Sequence, residues 1–205
     1  MSSIHIATEI MDHCPDLELG VISGQIDNNV DLPVNIDDLL STIEITDPQN
    51  DAVIATRKWY KSLGKHPSRY RPSAEALRRR ISHGKGLYSV NPAVDIINTV
   101  SLTYGFSIGA YDHHKIVGNI SLVRGSTQRY EAIARGILNI ENLPTLVDEN
   151  GPFGTPTSDS VRTSITDETS SILIVVYNCN RDPLFTEAIN DLEERLTKYC
   201  NFLTQ

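Results

Sequence analysis

Two periods of apolar and polar residues succeed each other along this chain. Ile4-His5-Ile6 and the alternating Leu17-Glu18-Leu19-Gly20-Val21-Ile22 read as strands, and Asp27-Asn28-Asn29 as a turn. From Ile36 to Ile45 the apolar positions 36, 39, 40 and 43 share a helix face, and Asp47-Pro48 stops it. A second helix is predicted from about 49 to 63, with Val53, Ile54, Trp59, Tyr60 and Leu63 inward and Arg57, Lys58 and Lys61 outward. Gly64 ends it. A third begins near Pro72, since a proline in the first turn sacrifices no helical hydrogen bond. Its Ala74, Leu77 and Ile81 share one face, Arg78, Arg79 and Arg80 occupy the rest, and Gly84 and Gly86 stop it.

Asn91-Pro92 is a strong helix start, because Asn accepts free amide hydrogens and Pro presets the backbone. The helix that follows is apolar nearly all round, which predicts burial on most sides. It nevertheless carries Asp95 and Asn98. Either residue ties down a neighbouring loop, or Asn98 points its amide into a pocket. After Gly105 come a strand and turn in FSIGAYD, a strand in GNISLV, and a loop with short strands over 124–143. Leu143–Val147 reads as a strand end, and Thr166 starts a short turn. Ser171–Asn178 is the clearest strand, and Asp182-Pro183 opens a last helix with Leu184, Ile189, Leu192 and Leu196 inward. Between them stands GPFGTPTSDS at 151–160, which continues no helix and lacks the alternation of a half-buried strand. It is an ordinary loop, or its hydroxyls and amides face a ligand.

With 205 residues, 40% hydrophobic, and no repeats or linkers, a single domain with a real core is expected. No basic-then-apolar leader is visible and no apolar run is long enough to span a membrane, so no membrane partner is expected. Cys14, Cys179 and Cys200 are odd in number and lack CxxC spacing, which argues against a disulfide framework or zinc ribbon and for a reduced, cytoplasmic setting. His113-His114 would point to opposite faces of a strand and chelate poorly, so no metal and no cofactor is expected.

Charge is unevenly spread. Between Arg57 and Lys85 stand ten Lys/Arg and one acid, Glu75, while the other 176 residues hold eight Lys/Arg and 25 acids, for a formal net of −8. Such asymmetry fits a local anionic partner, and it fits equally well basic side chains that balance acids within the fold.

Four segments in order, RPSAEALRRR (71–80), NPAVDIINTVSLTYGFSIGAYD (91–112), GPFGTPTSDSVRT (151–163) and SSILIVVYN (170–178), resemble the tRNA-editing domain of the phenylalanyl-tRNA synthetase β subunit and its free-standing relatives. The resemblance implies an α+β fold with a layered β core and surrounding helices. It covers 59–178, with 1–58 as an N-terminal flank and 179–205 as a C-terminal helix, all in one domain. In the synthetase this domain hydrolyses tyrosine wrongly esterified to tRNA(Phe). Its pocket lies between the segments that match DIINTV, FSIGAYD and GPFGTPTSDS.

The resemblance therefore implies a substrate pocket of Asn98, Ser107, Gly109, Asp112, Thr155, Thr157, Ser158, Asp159 and Val175. Asn98 matches an asparagine of the synthetase pocket. Gly109 stands where the synthetase has a histidine, and Val175 where it has the glutamate that recognises the tyrosine hydroxyl. The implied activity is trans-editing, hydrolysis of the aminoacyl ester of a mischarged tRNA, with selectivity shifted from tyrosine toward a smaller or less polar side chain. The alternative is a non-catalytic module that binds RNA or an amino-acid-like ligand. The expected partner is aminoacylated tRNA, not DNA, contacted through Arg69, Arg71, Arg78, Arg79 and Lys85. Spacing alone assembles no Ser/His/Asp set, so no catalytic residue is assigned. His113 or His114 is either a general base or a surface histidine, and Asp159 either binds the substrate ammonium or stabilises a turn.

Overall fold

Eight consecutive buried residues, Ser171–Asn178, form the strand around which the layers are built. A computed structural model describes residues 3–27, 30, 43 and 49–204. β1 (Ile4–Ile6), α1 (Thr8–His13) and β2 (Glu18–Gln25) come first, followed by α2 (Asp51–Ser62), α3 (Ser73–Ser82) and α4 (Pro92–Tyr104). Next are β3 (Ser107–Asp112), a 3-10 turn His113–Lys115, β4 (Ile120–Arg124), and the short pair β5 (Glu131–Ala132) and β6 (Gly136–Ile137). β7 (Pro144–Asp148), β8 (Gly151–Gly154), a 3-10 turn Val161–Thr163, β9 (Ser171–Asn178), α5 (Phe185–Cys200) and β10 (Leu203–Thr204) complete the described chain. Apart from position 43, the helix expected over 36–45 lies outside the described residues, as do positions 28 and 29 of the expected turn.

Two four-stranded sheets carry the fold. One has the order β1-β4-β7-β8 and the other β10-β2-β9-β3. In the second, every pairing is antiparallel, and β9 lies between β2 and β3. A strand buried on both faces need not alternate, which explains the unbroken apolar run of SILIVVYN. Ile172, Ile174 and Val176 face α4 and α5 together with Ala93, Ile96, Ile97, Val100, Leu192 and Leu196. Leu173, Val175 and Tyr177 face the first sheet, where they meet Leu122, Leu146 and Phe153 with Trp59 of α2. The result is the layered mixture of helices and sheets that the sequence predicts.

Local chemistry accounts for most element boundaries. The Asn50 and Asn91 side chains accept from the Val53 and Val94 amides, and Gly105 closes α4 in the left-handed conformation at φ 82°. Four expectations are corrected. Ile54 is at the surface although Trp59 and Tyr60 are buried. On α3 the buried set is Ala74, Glu75 and Arg78, with Leu77 and Ile81 only half-buried, because two cationic partners let Glu75 enter the interior. Leu184 precedes α5 and is exposed, and Phe185 takes the inward position. Finally, the first four residues of GPFGTPTSDS are not a loop but β8, an edge strand where Pro152 removes no needed ladder bond. The register slips between Leu146 and Val147, so Phe153 drops into the core against Tyr111, with ring centroids 4.8 Å apart. Sequence periodicity also passed over α1, whose single turn and a half buries only Ile10.

Candidate functional site

β3 is the free edge of its sheet, and alternation divides its side chains between two environments. Ile108 and Ala110 point toward α4, whereas Ser107, Gly109 and Tyr111 point toward the other sheet. On the α4 side lies a cavity of about 400 Å³. Its walls are largely apolar: Val94 and Ile97 of α4, Ile108 and Ala110 of β3, and Ile133 and Ile165 from the loops. Asn98, Asp159 and Ser164 are its polar side chains. Val90, Ile133 and Val161, exposed by 60%, 41% and 48%, form an apolar rim.

The two polar residues of α4 therefore have different roles. Asp95 is buried and accepts from Ser89 Oγ at 2.6 Å and the Val90 amide at 2.9 Å, which anchors the segment leading into the helix. Asn98, one turn on, is half-buried and lines the cavity.

Asp159 sits at the sheet edge. Its Oδ2 accepts from the Ala110 amide at 3.2 Å, covering a donor that no strand reaches. Its Oδ1 is buried without a hydrogen bond of ordinary geometry, as is the Tyr111 hydroxyl. Both atoms converge on Gly109: a Cβ there would lie 3.1 Å from Oδ1 and would overlap Tyr111 Oη. Burial pushes the Asp159 carboxyl up to about 7, against the anion-stabilising effect of the Tyr111 hydroxyl and the Ala110 amide. Burial, then the neighbouring Asp159 charge, raises Tyr111 well above the ordinary phenol range. Gly109→Ala should consequently destabilise the fold by ~1–3 kcal/mol, read as a lower denaturant midpoint. In a Tyr111→Phe background the cost should shrink but not vanish, since the ring carbon is also too near.

Of the residues proposed from sequence, Asn98 and Asp159 meet at this cavity and the others lie elsewhere. Ser107, Gly109 and Val175 share the opposite face of the sheet, with Gly109 paired to Val175 and Ser107 to Tyr177. Thr155 and Thr157 are buried within their own turn. Thr155 Oγ1 donates to Ser158 O and accepts from the Thr157 and Ser158 amides, while Thr157 Oγ1 lies 2.9 Å from Tyr60 Oη. Ser158 Oγ donates to Ile133 O at 3.4 Å. Asp112 accepts from Thr169 Oγ1 and pairs with Lys115. His113 and His114 lie in the 3-10 turn beyond it; burial, then the neighbouring His114, lowers the pKa of His113. Ile108 and Ala110 were missed in the sequence. The signal was the alternation of SIGAYD, which assigns them and Gly109 to opposite faces.

The basic segment also separates into two parts. Arg57 and Arg71 pair with the buried Glu75, at 2.7 and 3.4 Å. Lys65 is buried and donates to Asn139 O and Glu141 O. Arg78 is 8% exposed and donates through Nη1 to Leu102 O near the end of α4. Arg69 is exposed beside the Tyr70 ring. Arg79, Arg80, His83 and Lys85 line a surface groove at the end of α3, where the helix dipole favours cations. From that groove the chain runs through Tyr88, stacked by Arg80 at 4.0 Å from its ring centroid, to Val90 on the cavity rim.

Residues 55–193, more than half of the chain, match the B3/4 domain family. The chain belongs to that family. This B3/4 domain also superposes on an N-terminal fragment of the phenylalanyl-tRNA synthetase β-subunit from Pyrococcus horikoshii, with a TM-score of 0.49 and 13% identity. The match covers 95% of this chain and 49% of that one, so the chain spans about half of the fragment's length. No curated protein matches it significantly. Among the described residues of this B3/4 domain, no helix is long and apolar enough to cross a membrane, and no cluster of three metal-ligating side chains occurs.

Proposed function

We propose that this protein hydrolyses the ester of a mischarged aminoacyl-tRNA in trans, with the aminoacyl side chain in the cavity beside Asp159. One observation carries the proposal: a B3/4 domain holds a largely apolar cavity of about 400 Å³ with a carboxyl group near neutral pKa in its wall. A base of that pKa suits proton transfer near pH 7. The Asp159 carboxylate takes a proton from water through Oδ2, the oxygen on the Ala110 side, as the water oxygen attacks the ester carbonyl. The carbonyl–ribose bond then breaks, and the proton passes to the departing ribose oxygen. Asn98 donates its amide to the substrate and holds it in place. The ester is already activated, so placement of water and substrate supplies much of the acceleration.

Selectivity follows from the walls. Val175 does not line the cavity, so an apolar preference rests instead on Val94, Ile97, Ile108 and Ile165. Such a wall separates substrates by only ~10–200-fold per methylene. In a deacylation panel, branched aliphatic aminoacyl-tRNAs should turn over faster than tyrosyl-tRNA, with a graded ranking by size. A preference for tyrosine would contradict this assignment of the wall.

The absence of a histidine or cysteine from the described lining favours one other reading, a module that binds without hydrolysis. If purified protein leaves every ester intact yet binds the charged end, that reading stands and the enzyme reading falls.

The tRNA backbone would follow the groove of Arg79, Arg80 and Lys85. Affinity should fall steeply with salt, and each of these residues removed should reduce the log–log slope by roughly 0.7 to 0.9.

A further inference from the structure

We propose that Cys14 and Cys179 constitute a dithiol site that a small disulfide oxidises to an intramolecular bridge. The two residues are 165 positions apart in sequence, yet Cys14 Sγ lies 3.5 Å from the Cys179 carbonyl oxygen. The β2–β9 ladder brings them together, for its last pair is Glu18 with Asn178. Cys14 caps α1 and is joined back to that ladder by the Leu17 amide, which donates to Cys14 O at 3.0 Å. Cys179 follows directly on β9, with Sγ 3.7 Å from Thr56 Oγ1.

Both cysteines lie on the wall of a second cavity of about 420 Å³, which shares no lining residue with the Asp159 cavity and is lined also by His13, Lys58 and Trp59. The cavity gives a small reagent a route to the thiols of two residues that are themselves only 6% and 8% exposed. Each thiol is the first influence on the other's acidity: Cys14 is held below the ordinary thiol range and Cys179 is pushed above it. Whichever of the two thiolates is consumed first by a small disulfide, the other lies beside it to resolve the mixed disulfide, and the order with Cys14 attacking first represents both. Cys200 offers a contrast, because it packs in the other core and burial pushes it up to about 11.

The chemistry balances in two steps. Cys14 thiolate attacks one sulfur of RSSR, forming a mixed disulfide and releasing RS⁻. Cys179 then loses its proton to solvent and attacks Cys14 Sγ, breaking the mixed disulfide and releasing the second RS⁻. One protein disulfide forms and one small disulfide becomes two thiols. In a reducing compartment the bridge would be transient.

The decisive experiment is incubation of the native protein with glutathione disulfide, followed by digestion and mass analysis without reductant. The expected product is a single Cys14–Cys179 cross-linked peptide with Cys200 unmodified. Bridging so long a loop should raise the Tm by about 10 °C. Cys200→Ser should behave identically, and Cys179→Ser should stop at a mixed disulfide on Cys14. The proposal is overturned if the unmutated protein gives only mixed disulfides, pairs Cys200, remains unmodified, or forms the bridge only in denaturant. None of these outcomes depends on hydrolysis of an aminoacyl ester.

Discussion

Asp159→Asn is expected to lower the deacylation rate by ~10²–10⁴-fold while leaving tRNA affinity nearly unchanged. Asn keeps an acceptor for the Ala110 amide but cannot take a proton from water. The wild-type rate should rise with pH and level off above about 7, as the carboxyl ionises. Ser158→Ala should have little effect, because Ser158 is not in the cavity lining and its hydroxyl donates to Ile133 O. For stability, Asp159→Asn is expected to act in the opposite direction. The carboxyl's folded pKa lies above the ordinary 3.8, so its contribution is most favourable below that value and declines as pH rises through about 7. At pH 8 the buried carboxylate costs on the order of 4 kcal/mol, and Asp159→Asn should recover much of it. Thermal melts at pH 5 and 8 should therefore diverge in the wild type and converge in the variant. A variant that is slower yet more stable at pH 8 is the signature of a group retained for chemistry. Equal rates for wild type and variant would remove Asp159 from the mechanism.

Arg78→Glu should unfold the protein or reduce its stability by ~3–5 kcal/mol. Its guanidinium is buried between α3 and α4 and donates to Leu102 O, and a carboxylate there would meet a carbonyl and the negative end of α4. Arg79→Glu and Lys85→Glu, by contrast, alter a solvated groove and should change the Tm by little. Their effect should appear in tRNA binding, as lower affinity and a shallower salt dependence. Circular dichroism melts beside binding titrations at several salt concentrations separate the two outcomes. Loss of binding in Arg78→Glu would say nothing about contact, whereas unchanged binding in the Arg79→Glu, Lys85→Glu double variant would exclude the groove.

Wherever a single element decides its own form, the chain was legible. Asn91-Pro92 predicted α4 because capping and a preset φ act within one turn, and SILIVVYN predicted β9 because so short and β-branched an apolar run suits a strand buried on both faces. The motif set led to the right family because the order of segments is itself a sequence property. The site was legible only in part. Asn98 and Asp159 were candidates from sequence, but so were Gly109 and Val175, which lie on the other side of the same sheet. A shift of one residue along β3 exchanges the faces, and no local propensity fixes which face an edge strand turns toward a helix. The first four residues of GPFGTPTSDS likewise became an edge strand because β7 offered them a partner, and the threonines that follow turned inward, where Tyr60 and the loop's own amides bond them. Charge was legible as a total and not as a surface: Glu75 is one acid among ten cations in sequence, yet its burial draws Arg57 and Arg71 inward. Cys14 and Cys179 read as isolated thiols because their proximity arises from strand pairing across the whole chain. Contacts between distant residues depend on how sheets and helices stack, and that packing is a property of the assembled layers rather than of any segment.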